Sequence, residues 1–233
     1  MSTLYMVATP IGNLEDITLR ALKVLKSVDV IACEDTRHTG NLLSHFDIKK
    51  KTISCHAHNE DNSKKGILAL LDQGLSVAYC SDAGTPCLSD PGARLVEYIR
   101  TNSSHEIVPL PGANSAAVLI SCAGNIGKTF HFEGFLPVKS GKRLKRLAEL
   151  IARKEAFVIL ESPYRVLKTL GEVEKIDPSL KCVIGREMTK QFEEIRSARV
   201  SEMLKMLSER DSVKGEFTIV IAPGEDDDQA EED

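Results

Sequence analysis

Short apolar runs of four or five residues alternate, along the first half of the chain, with stretches in which leucine and isoleucine recur at helical spacing. Each apolar run is continuous, which is typical of strands that are buried on both faces of a parallel sheet. The pattern therefore predicts strand–helix units and an α/β fold. The predicted strands begin at Leu4, Asp29, Thr52, Ser76 and Ile107.

A polar turn follows each of these predicted strands. In open α/β sheets, ligands bind outside the carboxyl ends of the strands, so these turns are expected to line one cleft. Neither a G-x-G-x-x-G nor a G-x-x-x-x-G-K-[ST] pattern occurs, so the usual dinucleotide and triphosphate signatures are missing. The turns read TPIGN, EDTRH, HAHNE, SDAGTP and PGANS.

The SDAGTP turn, which follows the strand from Ser76 to Cys80, has the strongest character of a ligand site. Gly84 has no Cβ, which would let a ligand approach the backbone. Asp90 is predicted to cap the next helix, with Pro91 at its first position. The alternative interpretation is an ordinary strand-to-helix connection, because short motifs often occur by chance.

The pattern changes near residue 124. Residues 129–135 (TFHFEGF) alternate as in an antiparallel strand, which predicts one α/β domain over 1–124 and a second over 125–224. A basic helix is predicted over 139–154, and it is either an RNA-binding surface or an ordinary solvated face. Its apolar face is predicted to contain Leu144, Leu147, Leu150 and Ile151, and its cations are Lys142, Arg143, Lys145, Arg146, Arg153 and Lys154.

Charge is distributed unevenly along the chain, whose formal net charge is −4. The last nine residues, 225–233, hold seven of the 34 acidic groups and none of the 30 basic ones. Such a block is expected to be a disordered acidic tail. Without it, 30 basic and 27 acidic residues leave a net charge of +3, which permits binding of a polyanion.

The six cysteines form no C-x-x-C pair, so we expect reduced thiols, with Cys33, Cys55, Cys80 and Cys182 in the core. Metal binding is not expected, since clustered ligands are missing. No signal peptide and no membrane span are indicated, which favours a cytoplasmic protein.

Eight segments, read in order, resemble the tetrapyrrole methylase superfamily, and within it the branch that methylates ribosomal RNA of the small subunit. The resemblance covers residues 4–224. It implies two α/β domains with S-adenosylmethionine in a cleft between them, a homodimer, and 2′-O-methylation of a cytidine ribose in the decoding region of 16S rRNA. The segments are VATPIGNLEDIT, ACEDTRHTG, SDAGTPCLSDPG, PGANS, FEGFLP, ESPYR, GREMTKQFEE and KGEFTIVIAPG.

The same resemblance implies a set of cofactor-binding residues. Relatives that make tetrapyrroles resemble GGDP where this chain has AGTP, so Thr85 takes the aspartate position and a porphyrin substrate loses support. The implied cofactor residues are Ile11, Asp82, Gly84, Thr85, Leu88, Ser115, Ala116, Phe135, Leu136, Pro163 and Ala222.

A ribose 2′-OH is a poor nucleophile, so a base or a cation should lie beside it. The polar strand ends provide the candidates, and an ion-pair network that only fixes the fold is the alternative for each. The histidines His38, His56 and His58 are expected to hydrogen-bond the cleft wall, and Asn59 and Glu60 to contact substrate. The catalytic candidates are Glu34, Asp35, Arg37, Glu161, Arg186, Glu187 and Lys190.

Three functions thus compete on the sequence alone. The first is methylation of ribosomal RNA, the second is methylation of a porphyrin-type tetrapyrrole, and the third is RNA binding without catalysis. The basic helix and the AGTP turn favour RNA over a porphyrin. A retained cofactor pocket would distinguish an enzyme from a binding protein.

Overall fold

The structure is a computed structural model that describes residues 1–56 and 59–224. His58 and the acidic stretch 225–233 therefore lie outside the described residues. The chain divides into two compact units, of which the first spans residues 1–114 and the second starts at Ser115. This division precedes the expected boundary at residue 124, because the helix over Ser115–Cys122 packs against the sheet of the second unit.

The first unit is a five-stranded parallel sheet with helices on both faces, which confirms the predicted α/β fold. The strand order is β3-β2-β4-β1-β5. In chain order, its elements are β1 (Thr3–Val7), α1 (Leu19–Ser27), β2 (Val30–Cys33), α2 (Thr36–His45), β3 (Lys51–Ser54), α3 (Glu60–Asp72), β4 (Val77–Cys80), α4 (Ala93–Asn102) and β5 (Glu106–Leu110).

Burial on both faces explains why the central strands are apolar throughout. All four residues of β2 and all four of β4 are buried. Helices α1 and α2 pack on one face of the sheet, and α3 and α4 pack on the other. Cys33, Cys55 and Cys80 lie in these two layers, and Cys182 lies in the core of the second unit, which confirms the prediction of core thiols.

Helix α4 begins differently from the prediction. Its N-cap is Gly92, with φ 119°, and the predicted cap Asp90 lies outside the helix. The buried carboxylate of Glu60, at the start of α3, accepts hydrogen bonds at 3.2 Å from the main-chain N–H groups of Gly92 and Leu95. The side chain of Glu60, although distant in sequence, thus accepts hydrogen bonds from the first N–H groups of α4 as an N-cap side chain would. Glu60 therefore has a structural position rather than the predicted substrate-facing one.

The second unit is a mixed five-stranded sheet in the order β6-β7-β10-β8-β9. Helix α5 covers one face, and α6, α7 and α8 cover the other. Its elements are α5 (Ser115–Cys122), β6 (Phe130–Phe135), α6 (Ser140–Ile151), β7 (Ala156–Glu161), α7 (Val166–Ile176), β8 (Lys181–Arg186), β9 (Glu194–Arg199), α8 (Val200–Ser208) and β10 (Phe217–Ala222).

The prediction that the strand near 129–135 is antiparallel is wrong, because β6 pairs in parallel with β7. The strand lies at the edge of the sheet, and its ends, Phe130 and Phe135, are exposed. The mixture of polar and aromatic residues therefore reflects incomplete cover at an edge, and it carries no information about strand direction.

Candidate functional site

The carboxyl ends of β1 and β4 form the switch point of the first sheet. These strands are neighbours, and the chain leaves β1 toward β2 but leaves β4 toward β5, in the opposite direction. Ligands of open α/β sheets bind at such a point. The TPIGN and SDAGTP turns, which follow these two strands, are therefore at the position where a ligand is expected.

Main-chain hydrogen bonds join these two turns directly. The N–H of Thr9 donates to the carbonyl of Gly84 at 3.0 Å, and the N–H of Gly84 donates to the carbonyl of Thr9 at 3.0 Å. The Thr9 hydroxyl donates to the Ser81 carbonyl at 3.1 Å, and the Ser81 hydroxyl donates to the Gly84 carbonyl at 3.0 Å. The two turns thus form one rigid surface.

Gly84 is required by this surface for a reason that differs from the prediction. Its φ is +83°, in the region that side chains rarely adopt, and a Cβ there would lie 3.3 Å from Ile11 Cγ2 and 3.6 Å from the Ala113 carbonyl oxygen. Protein atoms thus already lie within contact distance of the position that a Cβ would take. Gly84 allows the turns to pack closely, rather than leaving space at that point for a ligand.

The PGANS turn joins the same surface through its first part. The hydroxyl of Thr85 donates to the carbonyl of Ala113 at 3.1 Å. A Cβ at Gly112 would lie 2.7 Å from the Cβ of Ala8, so only glycine fits beside the end of β1. This role of Gly112 was not predicted. The Pro111-Gly112 dipeptide is a turn signal that could have indicated it.

Of the implied cofactor residues, the structure therefore brings Ile11, Asp82, Gly84 and Thr85 together at the switch point. Leu88 follows in the connection to α4 and is exposed. Ser115 and Ala116 begin α5 and belong to the second unit.

Three carboxylates lie close enough to influence one another beside this surface. Burial, followed by the negative charges of Glu34 and Asp82, raises the pKa of Asp90 to about 6. Burial and the charge of Asp82 likewise raise the pKa of Glu34. Asp82 Oδ1 accepts a hydrogen bond at 3.0 Å from the N–H of Asp35, which ties the SDAGTP turn to the EDTRH turn. Negative charge is thus concentrated at this end of the sheet.

Two other catalytic candidates in this unit, Asp35 and Arg37, are engaged with each other. Asp35 is the N-cap of α2 and accepts from the Arg37 N–H at 2.8 Å. Its carboxylate also accepts two guanidinium bonds from Arg37, at 3.1 and 2.7 Å, and these bonds lower the pKa of Asp35. Glu34 is the candidate of this turn that has no role in capping.

The candidates in the second unit are all held in ion pairs. Buried Glu161 accepts from the Thr169 hydroxyl at 2.8 Å and pairs with Arg165 at 3.2 Å. Arg186 pairs with Glu194, which Arg210 also contacts at 2.6 Å. These contacts correspond to the alternative interpretation, in which the charges fix the fold.

Glu187 and Lys190 form a second such group beside β8. Lys190 Nζ lies 3.0 Å from Glu187 Oε1 and 2.9 Å from Glu216 Oε2. Glu187 Oε1 also accepts from the main-chain N–H of Glu216 at 2.8 Å, and this bond is the main reason that its pKa is lowered. The pair therefore fastens the connection after β8 to the start of β10.

The implied cofactor residues of the second unit fall into separate groups. Because β6 and β7 are parallel, Phe135 and Pro163 follow their carboxyl ends at one edge of the sheet. Because β10 is antiparallel to β7, Ala222 at the end of β10 lies near the start of β7, at the opposite end of the strands. Leu136 has its side chain in the apolar core. Phe135 and Pro163 thus lie toward one end of the sheet, and Ala222 lies in the same apolar cluster as Ala116.

The family model described as "Tetrapyrrole (Corrin/Porphyrin) Methylases" matches residues 3–204. The chain belongs to the tetrapyrrole methylase family.

Within the tetrapyrrole methylase family, the similar relatives include three proteins named "Ribosomal RNA small subunit methyltransferase I". The one from Borrelia garinii subsp. bavariensis is 49% identical over 220 residues, which cover 94% of this chain and 98% of the relative. The one from Escherichia coli O157:H7 is 43% identical over 94% of this chain and 77% of the relative. The one from Bacillus subtilis is 39% identical over 100% of this chain and 79% of the relative.

Solved structures share the methylase fold at low sequence identity. Uroporphyrin III C-methyl transferase from Thermus thermophilus has a TM-score of 0.65 at 16% identity, covering 96% of this chain and 97% of that one. Cobalt precorrin-4 methyltransferase has a TM-score of 0.66 at 18% identity, with 94% of each chain covered. A form of the Thermus thermophilus enzyme complexed with S-adenyl homocysteine matches with a TM-score of 0.64 at 17% identity, covering 96% of this chain and 97% of that one.

The basic helix of this methylase, α6, differs from the prediction in which residues it exposes. Arg143 is buried and donates to Glu172 at 2.6 and 2.8 Å, whereas Leu144 is 41% exposed. Arg146 pairs with Glu133 at 2.7 Å and with Glu149 at 3.2 Å. Two of the six predicted cations are thus neutralised by carboxylates. Lys142 and Lys145 remain as exposed lysines on this helix.

Proposed function

We propose that this methylase transfers the methyl group of S-adenosylmethionine to ribosomal RNA of the small subunit. The observation that carries the proposal is the identity of 39–49%, over 94–100% of the chain, to relatives that bear that name. We further propose, from the sequence resemblance, that the acceptor is the 2′-OH of a cytidine ribose in the decoding region of 16S rRNA.

The donor groups at the switch point fit the proposed cofactor. S-adenosylmethionine, when bound, supplies a methyl group on a positively charged sulfonium. The carboxylates of Asp82, Glu34 and Asp90 place negative charge where a cationic ligand is favoured. We propose that Asp82 and Thr85, with Ile11 and Gly84 beneath them, hold the cofactor from the first unit. Phe135 and Pro163 are the candidates from the second unit.

Glu34 is the candidate that we propose as the general base. A base acts best when its pKa lies near the working pH, and burial raises the pKa of Glu34 in that direction. Its carboxylate would accept the proton of the 2′-OH as the oxygen attacks. Arg186, Glu187 and Lys190 are less suitable, because each is already engaged by an opposite charge.

The proposed reaction can be tested with labelled S-adenosylmethionine and small subunits from bacteria that lack the activity. Mapping of the label should place one methyl group on a ribose 2′-OH of 16S rRNA. A matched substrate with 2′-deoxycytidine at that position should bind but accept no methyl group, because the acceptor atom is missing. Methylation of the deoxy substrate at an undiminished rate would contradict the 2′-O assignment.

The role of Glu34 can be tested separately. Glu34→Gln should lower kcat by roughly 100-fold or more, and it should weaken S-adenosylmethionine binding by a smaller factor, because it removes one of the three negative charges at the switch point. The matched control is Asp35→Asn, which changes a capping carboxylate in the adjacent position. Equal kcat values for Glu34→Gln and wild type would remove Glu34 from the mechanism.

We also propose a homodimer in the cytoplasm, on the strength of the sequence resemblance. Among the helices in residues 1–56 and 59–224, none combines the length and apolarity needed to cross a membrane. Light scattering of the purified protein would establish its mass. A monomer at all protein concentrations would contradict the dimer.

A porphyrin-type tetrapyrrole is the competing substrate class, because the family description includes porphyrin methylases. Thr85, in place of the aspartate of tetrapyrrole-making relatives, disfavours it. Incubation of the same labelled cofactor with a uroporphyrinogen would decide between the two substrate classes. Methyl transfer to the tetrapyrrole, without transfer to RNA, would overturn the proposal.

A further inference from the structure

Two arginines hold the segment that follows β6 in one conformation. Arg165 Nη2 donates to the carbonyl oxygen of Leu136 at 3.0 Å and lies 3.4 Å from that of Pro137. Arg143 Nη1 donates to the carbonyl oxygen of Val138 at 3.1 Å. Three successive carbonyl groups of a connecting segment are therefore bound by guanidinium groups.

Each of these arginines is anchored on a buried carboxylate. Arg143 makes two bonds to Glu172, at 2.6 and 2.8 Å, and its side chain is 2% exposed. Arg165 pairs with Glu161, whose side chain is 1% exposed. A buried ion pair is expensive to break, since it would leave a charge without a partner. The segment is thus firmly fixed to the core of the second unit.

The fixed segment and the turn after β7 each present an exposed side chain to solvent. Val138 is 80% exposed, and Tyr164, which directly precedes Arg165, is 95% exposed. Because β6 and β7 are parallel, both residues follow strands that end at the same edge of the sheet. We call Val138 and Tyr164 the exposed platform. Exposed apolar residues on a rigid support are characteristic of binding surfaces.

The charge beside the platform indicates what it binds. The chain has no acidic residue from Gly134 to Ala148. Lys139 and Lys142 are exposed, and no carboxylate in the described part of the chain hydrogen-bonds to either of them. An exposed aromatic ring on the turn after β7 and exposed lysines on the neighbouring segment after β6 match the two requirements of single-stranded nucleic acid, which are base stacking and phosphate contact.

We propose that the Tyr164 ring stacks on an unpaired base of single-stranded RNA, while Lys139 and Lys142 contact its phosphates. This inference rests on the proposed function for its substrate class, and it adds the residues and the structural form of RNA that they recognise. RNA is read mainly where its bases are unstacked, because side chains cannot reach the bases of a duplex from the deep groove.

The absence of tryptophan from this chain allows a direct test. A Tyr164→Trp variant would report fluorescence from that position alone. Titration with a short single-stranded RNA of mixed sequence should quench the emission, and the same RNA annealed to its complement should quench it far less. Quenching by S-adenosylhomocysteine alone would assign Tyr164 to the cofactor instead. Quenching by unlabelled wild-type protein alone would assign it to a second copy of the chain, and no quenching by RNA would also overturn the proposal.

Affinity measurements on other variants separate stacking from apolar contact. Tyr164→Ala and Tyr164→Leu should weaken single-stranded RNA binding by roughly five- to 100-fold, whereas Tyr164→Phe should keep it. The matched control is Phe192→Ala, because Phe192 is an exposed aromatic residue on the β8–β9 connection. Equal loss in Tyr164→Ala and Phe192→Ala, or retention of affinity in Tyr164→Leu, would overturn the proposal.

The proposed function and this inference can fail independently. If wild-type protein methylates small subunits but Tyr164→Ala binds RNA normally, the platform is wrong and the function stands. If no methyl transfer to RNA occurs but the ring still stacks on single-stranded RNA, the function is wrong and the platform stands.

Discussion

Arg143 and Glu172 form a buried ion pair that joins α6 to α7, with Nε 2.6 Å from Oε2. A second bond of 2.8 Å makes the pair bidentate. Arg143→Ala would leave the carboxylate of Glu172 buried without its cation. We therefore expect the free energy of unfolding to fall by roughly 3–5 kcal/mol.

Urea denaturation of Arg143→Ala and of the control Lys142→Ala would measure this loss. Lys142 precedes Arg143 on the same helix but is exposed, so its replacement should change the stability by less than about 0.5 kcal/mol. Similar midpoints for the two variants would show that the ion pair contributes little.

RNA binding by α6 should depend on its exposed lysines. If each lysine binds one phosphate, replacement of Lys142 and Lys145 by alanine should reduce the slope of log K against log salt by about one unit per lysine. Arg146, which is bound to Glu133 and Glu149, supplies the control position. An unchanged salt slope in the double variant would identify α6 as an ordinary solvated face.

Gly84→Ala should both destabilise the first unit and weaken cofactor binding. The substitution places a side chain at φ +83° and 3.3 Å from Ile11 Cγ2, so the switch-point turns must shift. A left-handed conformation alone costs roughly 1–2 kcal/mol for a residue with a Cβ. Thermal unfolding and calorimetry with S-adenosylmethionine would measure the two effects.

Gly66→Ala is the matched control for that substitution. Gly66 lies in α3, and a Cβ there would meet nothing within 4 Å. In a helix, alanine is favoured over glycine, so this variant should be slightly more stable than wild type. Wild-type stability and affinity in Gly84→Ala would show that the two turns tolerate a side chain at their junction.

Asp90 should make the stability depend on pH in a specific window. Its pKa is raised from 3.8 to about 6, so the folded state binds more protons than the unfolded state between these values. The contribution of Asp90 to stability therefore falls as the pH rises through this range. Asp90→Asn cannot ionise and should lack that part of the pH dependence.

Melting temperatures of wild type and Asp90→Asn, measured from pH 4 to pH 7, would test this sign. The difference between the two proteins should shift in favour of Asp90→Asn as the pH rises. A constant difference across the range would contradict a raised pKa.

The strands and turns of the first unit could be predicted because their signals are local. Continuous apolar runs such as that of β2 indicate two-sided burial, and the polar residues after them mark the carboxyl end of the sheet. The turn that contains Asp82 and Thr85 could be singled out for the same reason, since it follows β4, whereas the cofactor roles of these two residues come from the family resemblance. The meeting of these turns at the switch point confirms that part of the expected arrangement.

The predictions that were wrong concern partners that are distant in sequence. The helical pattern of α6 assigns Leu144 to the core and Arg143 to solvent, but the carboxylate of Glu172, 29 residues away, reverses the arrangement. Similarly, Asp90 has the local signal of an N-cap, while Glu60 caps α4 across 32 residues. Local patterns contain no information about such contacts.

The strand order of the first sheet constrains when that sheet can form during synthesis. Strand β1 lies between β4 and β5, so it has neither of its sheet partners until Val77–Cys80 has been synthesised. Its other edge stays unpaired until Glu106–Leu110 has emerged from the ribosome. The nascent chain must therefore keep the apolar β1 without a partner for many residues, which is the period when unpaired strand edges are prone to aggregation.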